Sequence, residues 1–173
     1  MSAGHVRGMD IRAQARSGVL VGPTCGLAPD YLQANLVVVP QTLACDFLRF
    51  CQRNPKPCPL LDVTEPGAWE PCHVAPGADV RMDVPRYRVY QRGVLVEEPS
   101  DIVGWWRDDL VAFLLGCSLS FEAAMQRAGL PVRHLEEGCN VPMYRTNLPC
   151  APSGVFRGPL VVTMRPLTPA AGD

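Results

Sequence analysis

An α/β fold with a mixed sheet, flanking helices and a small hairpin-containing α+β insertion is what this sequence predicts, and three patterns carry the prediction. An apolar run at residues 35–39, an amphipathic stretch at 42–52 and a second short run at 60–63 follow one another as strand, helix, strand. A hairpin pattern occupies residues 87–96. Three more strand candidates, 132–135, 141–146 and 160–165, come late in the chain. A length of 173 residues suits one domain with a small appendage. The expected division is an N-terminal arm at 1–17, the α/β domain at 18–166 with 67–100 as a small subdomain, and a disordered tail at 167–173.

Residues 1–18 mix Gly, Arg and polar side chains and read as a loosely attached arm or a first helix. Pro23, Thr24, Gly26 and Pro29 make the approach to the first strand rich in turns. Asn35, Leu36 and three valines form a continuous apolar run, the signature of a strand covered on both faces. Leu43, Phe47, Leu48 and Cys51 then fall on one stripe of a helix. Pro55, Pro57 and Pro59 end it as a stiff extended ribbon, since each proline fixes its own φ and pushes its predecessor toward extended geometry. Pro66-Gly67 and Pro76-Gly77 mark a loop-like stretch, and Gln91-Arg92-Gly93 turns the hairpin. Residues 105–115 are rich in apolar side chains and read as a helix, with Asp101 in a capping position. Ser120 caps a further helix over 121–128, with Glu122 near its positive end.

Composition excludes some functions. A net charge of −1 is no nucleic-acid footprint. Lys56 is the single lysine among the cations, and the arginine excess reads first as compositional bias. The apolar run 110–115 is too short to span a bilayer, and residues 1–18 have no apolar core of a secretory signal. The eight cysteines show no Cys-x-x-Cys pair and no zinc-site spacing, so most are expected as small buried hydrophobes in a reduced cytoplasmic setting, with no metal and no cofactor.

Three blocks concentrate polar chemistry at the ends of elements. In the first, the proline ribbon presents Arg53, Asn54, Lys56 and Cys58 on a preorganised backbone, which suits a pocket wall and equally a plain connecting loop. In the second, Gly116-Cys117-Ser118-Leu119-Ser120 sets a thiol and hydroxyls between two expected helices, where helix-end amides favour an anion. It lacks the final glycine of a serine-hydrolase elbow, and Cys117 has only His73 and His134 beyond the arm as basic partners. The third, residues 136–147, carries Glu137, Asn140, Tyr144, Arg145, Thr146 and Asn147. Along a strand Tyr144 and Thr146 face one way and Arg145 and Asn147 the other, so a pocket and a solvated hairpin edge are balanced readings. Asp108-Asp109 reads as a solvated pair, Trp105-Trp106 as core and interface, and His134 as a structural histidine.

Five stretches, GPTCGLAP (22–29), YLQANL (31–36), FCQRNPKPCPLLDVTEPG (50–67), DDLVAFLLGCSLSFE (108–122) and NVPMYRTN (140–147), closely resemble the bacterial "putative hydro-lyase" (YcsI-like) family, which is related to a domain of mitochondrial D-glutamate cyclase. The resemblance runs from about residue 18 onward. It implies an α/β fold that continues beyond residue 166 in family members, so that this chain is expected to be C-terminally truncated. It implies a carbon–oxygen lyase that removes water from a small amino or carboxylic acid, as when D-glutamate closes to 5-oxo-proline. Such chemistry needs a cation for the carboxylate, donors for a carbonyl oxygen and an acid for the leaving hydroxyl. By chemistry and block position, Arg145 or Arg53 suits the first role, Asn140 or Asn147 the second and Tyr144 or Glu137 the third. Cys117 and Ser118 are the further catalytic candidates, and Asn54 and Lys56 join the substrate-binding set. The expected partner is a small acid rather than nucleic acid or membrane, with a homo-oligomer left open. A non-catalytic acid-binding module and an inactive truncated paralogue are the rival readings.

Overall fold

The computed structural model describes residues 6–169; the first five residues of the expected arm and the last four of the expected tail lie outside the described residues. The elements are α1 (Gly8–Arg16), β1 (Ala34–Pro40), α2 (Gln41–Arg53), β2 (Leu60–Val63), β3 (Val89–Gln91), β4 (Val94–Glu97), β5 (Leu110–Gly116), α3 (Glu122–Arg127), α4 (Arg133–Glu136), β6 (Met143–Pro149) and β7 (Pro159–Thr163). Short 3-10 turns at Val103–Trp105 and Ser118–Phe121 precede β5 and α3. Among the described residues no helix is long and apolar enough to cross a membrane.

The central sheet has the order β1-β5-β2. Both outer strands pair antiparallel with β5, so β1 and β2 run parallel to each other, with α2 as their crossover and β5 slotted between. The mixed α/β content expected from the sequence is present, together with the 89–97 hairpin. Arg92 (φ 50°) and Gly93 (φ 81°) both occupy the left-handed region that a two-residue type I′ turn demands.

Residues 105–115 are not a helix. Leu110, Val111, Ala112, Phe113 and Leu115 are all buried in the middle strand. A helix would bury one stripe of this run, whereas a central strand removes both of its faces from water. Asp101 accordingly accepts the Val103 amide (3.1 Å) and closes a 3-10 turn, and Asp109 pairs with Arg107 (2.8 Å) outside any helix. Residues 132–135 depart from expectation in the opposite direction. Arg133–Glu136 forms a single helical turn, on which Arg133 reaches Glu136 (2.9 Å) and Glu137 (2.7 Å) at helical spacing.

The core lies between α2 and the sheet. Phe47 meets Phe113 edge-on (4.9 Å between centroids, 86°) and Phe156 at 4.9 Å, with Val39, Cys51, Val111 and Leu115 around them. The proline block does not run extended either: Cys58 N–H bonds back to Asn54 C=O (3.0 Å), folding 54–58 into a turn. All eight cysteines are free, yet only Cys51 is buried; Cys45, Cys72 and Cys139 are exposed, contrary to the reading of most as core hydrophobes. The expected N-terminal segment is helical over α1, and Arg16 grips the buried Asp83 carboxylate with two hydrogen bonds (2.7 and 2.9 Å).

Candidate functional site

At the end of β5 the chain exits through Gly116, where a Cβ would meet the Pro59 ring at 3.2 Å. Cys117 N–H continues the ladder to Gln33 C=O (2.9 Å). Ser120 was expected to cap a helix. Its hydroxyl instead takes the Gln33 amide (2.8 Å) and donates to the Gln33 carbonyl (3.3 Å). The Gln33 side chain in turn accepts from the Thr24 hydroxyl (2.7 Å) and donates to the carbonyls of Thr24 and Leu27 (3.0 and 3.1 Å). This relay fixes the 24–27 loop. Gly26 (φ 73°) lies so close to Leu135 that a Cβ would meet its methyl at 3.1 Å. Strand end, loop and α4 are thereby drawn together around Glu122.

Glu122 is 2% exposed and His134 is 4% exposed. Arg165, just past β7, has its guanidinium almost as deeply buried. It donates Nε to Glu122 Oε1 (3.1 Å) and makes a second bond from Nη2 to the same oxygen. Nη1 reaches Thr163 Oγ1 (2.7 Å) and Nη2 reaches Ser118 Oγ (3.2 Å), and the two hydroxyls lie 3.0 Å apart. The Phe121 ring covers the guanidinium at 4.7 Å. Burying an ion pair costs desolvation that geometry must offset, and here Nε, Nη1 and Nη2 all donate to oxygens of the cluster.

The other carboxylate oxygen, Oε2, accepts from Cys25 Sγ at 3.6 Å. Burial first and the Glu122 charge second push the Cys25 thiol up to about 11. His134 Nε2 approaches Glu122 Oε1 to 2.9 Å but out of line, so this fully buried nitrogen makes no aligned hydrogen bond. The cluster thus combines an oriented cation, two hydroxyls, a carboxylate, an imidazole and a thiol. Cys25, Ser118 and Thr163, only partly buried, and exposed Phe121 form its rim.

Of the residues proposed from the sequence as catalytic or substrate-binding, Ser118 stands in this cluster and Cys117 directly precedes it. The other proposed site residues do not join it. Asn54 is buried at the end of α2, its side chain donating to Phe50 C=O and Ala151 C=O and accepting from Ala151 N–H, each at 2.8 Å. Arg53 bonds the Pro152 carbonyl, and Lys56 is exposed. Tyr144, Arg145 and Asn147 are exposed on β6, and Glu137 pairs with Arg133 at the surface. Asn140 accepts the Val141 amide (2.9 Å) and lines the end of an open groove of about 1180 Å³ over β1.

Cys25, Glu122, His134, Thr163 and Arg165 were missed as site residues, because they are scattered over the chain with no shared period. One signal was available: Cys25 and Glu122 both lie in stretches that carried the family resemblance.

Residues 111–172 match the protein family described as D-glutamate cyclase. This segment holds Glu122, His134 and Arg165. A protein of Bordetella pertussis named putative hydro-lyase is 63% identical over 168 residues, 97% of this chain and 59% of its own length. Relatives with the same name in Geobacillus kaustophilus and Rubrobacter xylanophilus are 60% and 64% identical over 91% and 92% of this chain, and 60% and 62% of their own lengths. The chain therefore spans about three fifths of the length of these curated relatives.

Proposed function

We propose, on the premise that this chain is related over 91–97% of its length to the bacterial proteins named putative hydro-lyase, that it is a carbon–oxygen lyase acting on a small amino or carboxylic acid. The observation that carries the reading is the buried Arg165–Glu122–His134 cluster, inside the segment that matches the D-glutamate cyclase family.

Arg165 is the cation for a substrate carboxylate, since its planar fork can exchange one oxygen partner for another without losing charge. The hydroxyls of Ser118 and Thr163, already held by Arg165, donate to the carboxyl oxygen that gains negative charge when the nucleophile adds and gives it up as water leaves. The Glu122–His134 end supplies the proton acceptor, directly or through a water held there. In a cyclisation of the D-glutamate type, a C–N bond forms at the side-chain carboxyl carbon and a C–O bond breaks. The amine proton passes to the acceptor, and the leaving hydroxyl takes up a proton to depart as water. Eight unpaired thiols accord with a reduced cytoplasmic setting.

The test is a panel of D- and L-glutamate and small hydroxy acids, offered to this chain and to a full-length relative, with products followed by NMR. Turnover of one acid is expected, and Glu122→Gln lowers it at least about a hundredfold. Unchanged turnover in E122Q, or consumption of no acid by either protein, overturns the reading.

A further inference from the structure

We propose that Cys25 Sγ, Glu122 Oε2 and His134 Nε2 form a binding site for a zinc-type transition-metal dication. One ligand atom from each of these residues, the thiol sulfur, a carboxylate oxygen and a ring nitrogen, lies within 4.8 Å of the other two, on three separate segments of the fold. Metal bonds of about 2.0–2.3 Å at tetrahedral angles hold donors roughly 3.3–3.8 Å apart. The Cys25 Sγ to Glu122 Oε2 distance of 3.6 Å already meets that spacing.

The independent pointer is His134. Its Nε2 is inaccessible to water, lies 2.9 Å from Glu122 Oε1 and has no aligned hydrogen bond, though buried polar atoms normally have a partner. A metal ion is a partner that an imidazole lone pair in this position can serve. The surroundings fit an outer shell. Arg165 occupies Glu122 Oε1 and leaves Oε2 directed at Cys25, while the Ser120–Gln33–Thr24 relay holds the loop carrying the thiol. A thiolate, an imidazole and a carboxylate select zinc or cobalt over magnesium or calcium.

Three protein donors leave a fourth position open, the arrangement of catalytic rather than structural zinc sites. Thiolate and carboxylate balance the dication, so with Arg165 the site keeps one net positive charge for hydroxide or a substrate anion. Loading breaks the Cys25 S–H bond, forms a sulfur–metal bond and releases the proton to solvent. Metal binding does not depend on the lyase reading; only the further role, a metal-held water as the proton acceptor, rests on it. The donors are distant in sequence, which is why cysteine spacing alone pointed to no metal.

The experiment titrates the reduced, chelator-treated protein with Co²⁺ alone and then Zn²⁺, following the thiolate-to-cobalt absorption band, calorimetric stoichiometry and Tm. One ion per chain is expected, with the charge-transfer band present and Tm raised by Zn²⁺. Cys25→Ser abolishes the band and weakens binding by about tenfold or more, whereas Cys72→Ser, at an exposed thiol, changes neither. His134→Asn is read the same way, and Cys25→Ser serves alone if that variant fails to fold. A band that persists in C25S, or an equal Tm gain in C25S and the parent, overturns the proposal and leaves an imidazole–carboxylate contact only. These readouts need no turnover, so failure of the metal site and failure of the lyase reading are separable.

Discussion

Asn54→Ala separates a structural from a ligand-binding role for the proline block. The Asn54 side chain makes three 2.8 Å hydrogen bonds, one capping α2 at Phe50 C=O and two forming a reciprocal pair with the Ala151 backbone. A net of about 1 kcal/mol per bond would give about 3 kcal/mol. Ala151 is exposed, so water re-solvates its freed amide and carbonyl and the expected loss falls to about 2–3 kcal/mol. For a chain of this size that is a fall in Tm of roughly 4–12 °C. Urea unfolding followed by far-UV circular dichroism measures it, with Lys56→Ala as the neighbouring control, expected within about 0.5 kcal/mol of the parent. Asn54→Asp keeps the acceptor for Ala151 N–H but sets a carboxylate against two carbonyl oxygens, so it should recover little. A loss below about 0.5 kcal/mol in N54A would refute the reasoning and return Asn54 to the pocket that the sequence suggested.

Two further outcomes test the core and its thiols. Phe113→Ala removes the ring that meets Phe47 at the centre of β5 and should cost about 3–5 kcal/mol in chemical denaturation, enough to unfold a marginal domain. Burial pushes the thiols of Cys25 and Cys51 from 9.0 up to about 11, so the folded state holds their protons longer than the unfolded chain does. Stability from these groups is fully present below pH 9 and is lost as pH rises from about 9 to about 11. The Tyr87 hydroxyl, also shifted upward by burial, adds to the same trend. Cys51→Ala should flatten the decline in a pH series of urea midpoints; an unchanged slope would dismiss Cys51 as a contributor.

Helix α2 and the 89–97 hairpin were legible because each writes its geometry into local sequence: an apolar stripe in one case, a Gly-containing turn between two β-branched and aromatic runs in the other. Strand β5 was not. A run buried from every side has no polar face, so it carries no period to tell strand from helix, and only its pairing with β1 and β2 decides. Residues 132–135 misled for a related reason, since one helical turn is shorter than the period that would announce it. In the candidate site, Ser118 could be found as a hydroxyl at an element end. Tyr144, Arg145 and Asn147 looked equally rich in chemistry but stand on an exposed strand.

By itself the sequence determined the α/β content, the crossover helix, the hairpin and the kinship with hydro-lyase-named proteins, because these rest on short-range patterns and on long continuous matches. Only the tertiary structure decided that Cys25, Glu122, His134 and Arg165 meet. A buried charge is stabilised only by partners brought to it through space, and those partners come from a loop, two helices and the end of a strand that no local rule connects. The same fold makes Asn54 a clasp between α2 and the Ala151 backbone.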